Sequence, residues 1–189
     1  GVSALLFDLP PPEAKPIRRT RKPVNQAPKH SDHFQTPATA LDALLPYLPD
    51  GWSYWEPACG QGNLVRGLNA RGRLAFGTDL ITGHDFLTHD SPKTWDALVT
   101  NPPFSVKDAW IARCYELGKP FALLLPFTVL EGQVRQALYR QHGVELLILP
   151  KRVNFQTPND CGSSAWFPTA WVTWRLGLPS ALTFSEVLP

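Results

Sequence analysis

The sequence predicts an α/β fold: a doubly wound, mostly parallel sheet with helices on both faces. Three observations lead to this prediction. Strand-like and helix-like segments alternate along the chain, which is the pattern of a parallel sheet. Two of the strand-like segments, residues 122–125 and 145–149, are almost wholly apolar, as in strands that are buried on both faces. The chain has 189 residues, 43% of them hydrophobic, which is enough for one domain with its own core.

Local patterns predict the individual elements. Thr36-Pro37 combines a good capping residue with a proline suited to the first helical position, and leucines follow on one face at 41, 44, 45 and 48. Asn63 is predicted to cap a second helix over residues 64–70. Further helices are predicted over residues 106–117 and 133–142. Strands are predicted over residues 52–55, 73–80, 96–100, 121–126, 144–149 and 170–176.

Positive charge and proline are concentrated in the first 30 residues. The net charge of the chain is only +2, yet this segment holds six cations, and no Asp or Glu lies between Lys15 and His30. Proline at the density found here is incompatible with a helix or a central strand. We therefore predict an extended basic arm over residues 1–30 and a globular domain over residues 31–189. The cations of the arm are Lys15, Arg18, Arg19, Arg21, Lys22 and Lys29.

Composition also excludes several classes of protein. No apolar run reaches the roughly 18 residues that a membrane span needs, so no membrane association is expected. The three cysteines, Cys59, Cys114 and Cys161, are far apart and form no CxxC pair, so neither a metal site nor a disulfide framework is predicted. Such cysteine usage is typical of a reducing compartment, and we expect a cytoplasmic protein.

Ligands of doubly wound sheets bind beyond the carboxyl ends of the strands, so the residues that follow each strand form the candidate site. After the first strand comes the glycine loop, residues 56–63, in which an acid, Glu56, precedes a Gly60-Gln61-Gly62 turn. The loop lacks the lysine of a phosphate-binding loop. The second strand ends at Asp79, where an acid can hold ribose hydroxyls. This combination favours a nucleoside-containing cofactor without phosphate; two ordinary turns are the alternative.

The third predicted strand is followed by the NPPF turn, Asn101-Pro102-Pro103-Phe104. The two prolines present carbonyls but no N–H donors, and Asn101 adds a side-chain carbonyl. Phe104 adds an aromatic face. Together these groups predict an acceptor-rich pocket for a planar molecule that carries an NH2 group. The alternative is a simple proline turn after a buried strand.

At these residues the chain resembles the class I S-adenosylmethionine-dependent methyltransferases that act on amino groups, and most of all the adenine-N6 DNA methyltransferases. The glycine loop is similar to their cofactor loop, and the NPPF turn matches their catalytic tetrapeptide. The segment from Phe34 to Pro37 resembles the one that closes over the methionine end of the cofactor. Asp85-Phe86 resembles the pair that meets the cofactor's adenine. The resemblance covers about residues 31–176, and some RNA guanine-N2 and adenine-N6 methyltransferases share the tetrapeptide.

The resemblance implies a seven-stranded sheet and S-adenosylmethionine as the cofactor. Glu56 would meet the methionine amino group, and Asp79 would take the ribose hydroxyls. Leu80 would pack on the cofactor's adenine, and Asp85 would accept from its N6. The full set of cofactor residues implied in this way is Phe34, Thr36, Pro37, Glu56, Pro57, Ala58, Gly60, Gly62, Asp79, Leu80, Asp85, Phe86 and Asn101.

The resemblance also assigns the target side of the reaction. Asn101 and the Pro102 carbonyl would accept hydrogen bonds from the two N–H groups of the target amine, and Pro103 completes the turn. Phe104 would stack on a base that has been flipped out of a duplex. The implied activity is methyl transfer to adenine N6 in DNA, with no metal required.

The chain departs from many relatives of this kind at residues 151–169, which are too few for a separate target-recognition domain. Recognition of the target sequence is then expected to be minimal, or to lie in the arm, in a loop or in a partner subunit, and RNA stays the alternative substrate. A further alternative is a non-catalytic protein that uses this fold to bind nucleic acid or another subunit. Candidate contacts with the nucleic acid or its target base are Arg152, Val153, Asn154, Phe155, Trp166, Phe167 and Pro168.

The basic arm generates a first prediction. If its six cations lie along phosphates, a variant that begins at Ser31 should bind duplex DNA more weakly and with a shallower dependence on salt. Each phosphate contact contributes about −0.9 to the slope of log affinity against log salt, so the slope should flatten by up to about 5. Titrations at several salt concentrations measure this, with S-adenosylmethionine affinity as the control. Unchanged affinity and slope would show that the arm does not contact DNA.

Overall fold

A computed structural model describes residues 36, 38–153 and 167–187 of the chain. Four α-helices and seven strands lie within these ranges. The helices are α1 (Ala38–Leu44), α2 (Asn63–Asn69), α3 (Lys107–Leu117) and α4 (Gln133–His142). The strands are β1 (Ser53–Glu56), β2 (Leu74–Gly77), β3 (Ala97–Thr100), β4 (Phe121–Pro126), β5 (Glu145–Ile148), β6 (Thr169–Trp174) and β7 (Leu182–Phe184). In the part of the chain so described, every helix is too short or too polar to cross a lipid bilayer.

Three element boundaries differ from the sequence predictions for local reasons. The first helix passes into a 3-10 turn at Leu45–Tyr47, because Pro46 has no N–H to donate to a continuing helix. The prediction that Asn63 caps α2 is wrong: Gly62, with φ of 77°, occupies the cap position, and Asn63 is already helical. The predicted second strand is shortened to β2 because Asp79 caps a 3-10 turn at Leu80–Thr82.

The strands form one sheet in the order β2-β1-β3-β4-β6-β5-β7. Neighbouring strands run parallel from β2 to β4, and β5 runs parallel to β7. Only β6 is antiparallel to its neighbours. The predicted fold class, a doubly wound and mostly parallel seven-stranded sheet, is therefore confirmed. The sequence predicted six of these strands and did not predict the seventh, the edge strand β7.

Alternate residues of each strand divide the core into two clusters, one on each face of the sheet. Tyr54, Val99, Leu124 and Trp171 pack with the leucines of α1 and α2 on what we call the α1/α2 face. Their strand neighbours, such as Leu98 and Leu123, pack with α3 and α4 on the α3/α4 face. Strand alternation explains this division, since successive side chains point to opposite sides. The indole Nε1–H of Trp171 also donates to the Ala40 carbonyl at 2.7 Å, which fixes α1 to the sheet.

The topology brings the predicted site residues to one edge of the sheet. The carboxyl ends of β1, β2, β3 and β4 share this edge because the four strands are parallel. The start of β6 joins them, because β6 is antiparallel and Thr169 pairs with Pro126 at the end of β4. The arm (residues 1–30), Phe34, Pro37 and residues 154–166 lie outside the described residues, so the predictions made for them stay predictions.

Candidate active site

The glycine loop begins as a continuation of the β1–β2 pairing. The Thr78 N–H donates to the Glu56 carbonyl at 2.9 Å, and the Cys59 N–H donates back to the Thr78 carbonyl at 3.0 Å. Two left-handed glycines then turn the chain into α2: Gly60 has φ of 48° and Gly62 has φ of 77°. Side chains disfavour this conformation, so the turn needs glycine at both positions.

A third glycine, Gly77 at the end of β2, allows the loop to lie directly against the sheet. A Cβ atom at this position would lie 2.4 Å from the Cys59 Cβ and 2.9 Å from its Sγ, closer than real Cβ contacts. The sequence analysis did not single out Gly77. The available signal was a glycine inside a predicted strand, which often marks a close approach of another backbone.

Asp79, two residues after β2, holds the glycine loop through hydrogen bonds. Its Oδ2 accepts the Gly60 N–H at 2.7 Å, and its Oδ1 accepts the Ile81 N–H at 2.9 Å. Each carboxylate oxygen has a second lone pair, so the group can still accept from hydroxyls of a ligand. Asp79 therefore serves the structure of the loop in addition to the ligand contact predicted for it.

Arg66, in the first turns of α2, holds the middle of the same loop. Its guanidinium donates to the Gln61 carbonyl at 2.6 Å and to Oδ1 of Asn63. Sequence reasoning did not identify this contact, because a lone exposed arginine four residues after the Gly62 turn has no distinctive pattern.

Glu56 is the most unusual titratable group of the site. Only 4% of the residue is exposed, and Oε2 has no hydrogen-bond partner among the residues that the structure describes. Burial raises the pKa of this carboxyl to about 8; the Val65 backbone N–H lowers it in part and the Asp79 carboxylate adds to the rise. At neutral pH the carboxyl is therefore protonated, and a nearby cation would favour its ionised form.

The three residues predicted to meet the cofactor's adenine differ in how far they are exposed. Leu80 is 64% exposed at the edge of the site, next to the still more exposed Ile81. Asp85 caps its own turn, accepting from the Leu87 N–H and the Thr88 hydroxyl. Phe86 is 3% exposed and its ring centroid lies 4.2 Å from that of Trp110. Phe86 is thus a core residue, and its burial does not support a direct contact with a ligand.

The NPPF turn leaves the sheet at the end of β3. Pro102 is buried, whereas Asn101 and Pro103 are half-buried. Phe104 begins a short 3-10 turn, Phe104–Val106, and packs against both core clusters. Its ring meets Phe167 edge to face, with centroids 5.5 Å apart. The turn is therefore held in place by packing. The strand that leads into it, β3, lies between β4 and β1, and β1 ends in Glu56.

The structure thus brings most of the described candidates to one edge of the sheet. Hydrogen bonds join the segments that contain Glu56, Gly60 and Asp79. The NPPF turn follows β3, which lies next to β1 in the sheet. Arg152 is exposed after β5, a strand separated from β4 by β6, and Thr36 is half-buried before α1. Among the described residues, no three His, Cys, Asp or Glu side chains are grouped so that they could hold a metal ion.

Comparison with known proteins finds similarity at the level of solved structures. No family model matches the sequence, and no curated protein matches it either. The solved structures that align with it include a modification subunit of a "putative type I restriction enzyme" from Vibrio vulnificus (15% identity, TM-score 0.49), a "putative RNA methyltransferase" from Pyrococcus horikoshii (14%, 0.48) and a TehB-like SAM-dependent methyltransferase from Corynebacterium glutamicum (14%, 0.44).

These alignments cover 78%, 78% and 72% of this chain, and 45%, 88% and 85% of the respective structures. The chain therefore spans less than half the length of the modification subunit. Because all three identities are at most 15% and all three TM-scores lie below 0.5, what this chain does has to be inferred from its own residues.

Glu56 generates a prediction on stability. Its pKa rises from 4.5 to about 8 on folding, so between these values the unfolded chain loses the proton and the folded chain keeps it. Stability is therefore lost as pH rises from about 4.5 to 8. Glu56→Gln removes this loss, and its advantage over wild type should grow across that range to a few kcal/mol, at about 1.4 kcal/mol per pKa unit.

Urea unfolding at pH 5, 6.5 and 8 measures this difference. Glu131→Gln, which changes an exposed carboxyl, is the matched control and should run parallel to wild type. If Glu56→Gln also runs parallel to wild type, the buried carboxyl is not protonated in the folded state.

Gly77 generates a prediction on the loop. Gly77→Ala forces Cys59 away from β2 and should cost about 1–3 kcal/mol in the free energy of unfolding, the usual range for overpacking. Cys59→Gly removes the clashing Cβ, so the double variant should be more stable than the sum of the single effects predicts. Strictly additive effects would show that the two residues do not meet.

Proposed function

We propose that this protein transfers a methyl group from S-adenosylmethionine to an exocyclic amino group of a nucleic-acid base, namely adenine N6 in DNA. The observation that carries the proposal is the position of the NPPF turn. It follows β3, directly beside β1 and the glycine loop, at the shared carboxyl edge of the sheet. Groups suited to an amine and groups suited to a nucleoside cofactor are therefore neighbours.

The residues of the glycine loop fit S-adenosylmethionine. Glu56 offers a buried carboxyl whose Oε2 has no hydrogen-bond partner among the described residues, which suits the ammonium of the methionine part. Binding of that cation would ionise Glu56 and release its proton. Gly60 and Gly62 let the backbone approach, and Asp79 lies where it can accept from ribose hydroxyls. When bound, the cofactor supplies an electrophilic methyl group on a sulfonium.

The NPPF turn would prepare the amine. An exocyclic amine is a poor nucleophile because its lone pair is delocalised into the ring. The side-chain carbonyl of Asn101 and the backbone carbonyl of Pro102 would each accept a hydrogen bond from one N–H of the amine. These two bonds would turn the nitrogen toward a tetrahedral geometry and direct its lone pair at the methyl group. Phe104 fixes the ring by stacking. The N–C bond would form as the methyl–sulfur bond breaks, which would leave the cofactor as a neutral thioether and the methylated nitrogen with one proton to release to solvent. Positioning of the two reactants supplies much of the rate, so no basic side chain and no metal is needed.

RNA is the second candidate substrate, and one observation favours it. Only residues 149–168 separate β5 from β6, and this is too little chain for a target-recognition domain. For DNA, the arm and Arg152 would supply contacts with phosphates, and a partner subunit would supply sequence recognition.

A digest analysed by mass spectrometry distinguishes these candidates. Unmethylated genomic DNA and total RNA are each incubated with protein and isotope-labelled S-adenosylmethionine. Labelled N6-methyladenine in DNA supports the proposal, whereas labelled N6-methyladenine or N2-methylguanine in RNA alone supports the second candidate. Binding of nucleic acid without transfer of label would indicate a non-catalytic protein.

Asn101 generates the prediction on chemistry. Asn101→Ala should lower kcat by at least about 100-fold, since it removes an acceptor that acts on the reacting amine, and should change S-adenosylmethionine affinity only a few-fold. Phe104→Ala should mainly raise KM for nucleic acid, because stacking on a base is worth about 1–3 kcal/mol. Calorimetry and initial rates separate the two effects, with Tm as a check on folding. Near-normal turnover by Asn101→Ala would refute the mechanism.

A further inference from the structure

We propose that Thr169 is a target-recognition residue whose hydroxyl donates a hydrogen bond to the ring nitrogen beside the amine that the NPPF turn holds. The inference rests on the proposed function and extends it to a residue that no sequence motif marks. Three independent features of Thr169 lead to it: its burial, its position in the sheet and the contacts of the two residues before it.

The hydroxyl of Thr169 is buried without a hydrogen bond. The residue is 6% exposed, and its Oγ1 has no partner among the residues that the structure describes. A buried hydroxyl normally has a partner, because leaving it unpaired destabilises the folded state. A hydroxyl kept in this state at the carboxyl edge of the sheet is suited to a ligand.

Position in the sheet places Thr169 with the site. It is the first residue of β6 and pairs with Pro126, the last residue of β4. Trp171, two residues later, packs on the α1/α2 face, so strand alternation directs Thr169 to that same face. The same rule places Glu56, the last residue of β1 and two residues beyond Tyr54, on this face.

The two residues before Thr169 are held against the NPPF turn and the end of β4. The Phe167 ring packs edge to face on Phe104, and the Pro168 carbonyl accepts the Phe127 N–H at 3.1 Å. Residues 167–169 therefore form a fixed wall beside the turn. In the strand order β1-β3-β4-β6, Thr169 lies on the side of the NPPF turn that is away from β1. A base stacked on Phe104 would therefore have the Thr169 hydroxyl on that side. Adenine has a ring acceptor next to its amine, and we place this acceptor against the hydroxyl.

Two other threonines of the sheet provide comparisons for Thr169, and one of them, Thr100, is the matched control in the test. Thr100 is completely buried and its Oγ1 also lacks a partner among the described residues, but it follows Leu98 by two positions and so lies on the α3/α4 face. Thr173 lies in the same strand as Thr169, and its hydroxyl donates to the Glu145 Oε2 at 3.1 Å. Thr100 therefore matches the burial of Thr169, and Thr173 matches its strand.

The test compares Thr169→Val, Thr169→Ser and Thr100→Val with wild type. Valine has nearly the shape of threonine without the hydroxyl, so both valine variants should have a Tm at least as high as that of wild type. With genomic DNA, or with RNA if that is the polymer methylated, Thr169→Val should lower kcat/KM about 10-fold or more. Thr169→Ser should restore most of the loss, and Thr100→Val should keep the wild-type value. S-adenosylmethionine affinity should stay constant throughout.

Three outcomes would overturn the inference while the proposed function stands: an active Thr169→Val with wild-type kcat/KM, an equal loss in Thr100→Val, or a clear loss of stability in Thr169→Val. The last would show that the hydroxyl has a structural partner. If wild type transfers label to neither polymer, the proposed function itself fails, and the inference fails with it. The wild-type assay thus distinguishes the two failures.

Discussion

The whole site depends on the fastening of the glycine loop to the end of β2. The Asp79 carboxylate holds the Gly60 N–H at 2.7 Å, and Cys59 rests on Gly77 without room for a Cβ between them. This contact fixes where the chain turns from β1 into α2. It therefore also fixes the approach of the backbone to any ligand of Glu56. Asp79 is therefore a structural residue of the loop as well as the residue proposed to hold the ribose hydroxyls, and the two contributions have to be separated experimentally.

At Glu56, a feature suited to binding a cation lowers the stability of the ligand-free folded protein. A carboxyl that is 4% exposed, with a pKa of about 8, destabilises the ligand-free protein above pH 4.5. A cation that reaches it would reverse this effect, because the ionised form then has a partner. An apolar or amide side chain would make a more stable domain and a poorer site for an ammonium group. The same opposition applies on a smaller scale to the unpaired hydroxyl of Thr169.

The antiparallel strand β6 decides what faces the NPPF turn. In a wholly parallel sheet, the residues beyond β4 at this edge would come from the end of another strand. Because β6 runs in the opposite direction, its first residues lie beside the end of β4, and Phe167 reaches Phe104. Residues far apart in sequence thereby meet beside the NPPF turn, where we propose that the target base binds.

The sequence by itself determined the alternation of strands and helices, the bounds of α4 and the identity of the glycine loop and NPPF turn, because hydrophobic periodicity, glycine and proline are local signals. It did not determine that Gly62 rather than Asn63 caps α2, or that Phe86 belongs to the core. The sequence likewise contained no signal for Arg66 as a loop contact or for Thr169 beside the NPPF turn. For Gly77, a glycine inside a predicted strand indicated a close approach of another segment but did not identify Cys59 as the contact. Those features arise from contacts between separate segments, and only the order and direction of the strands decide which segments meet.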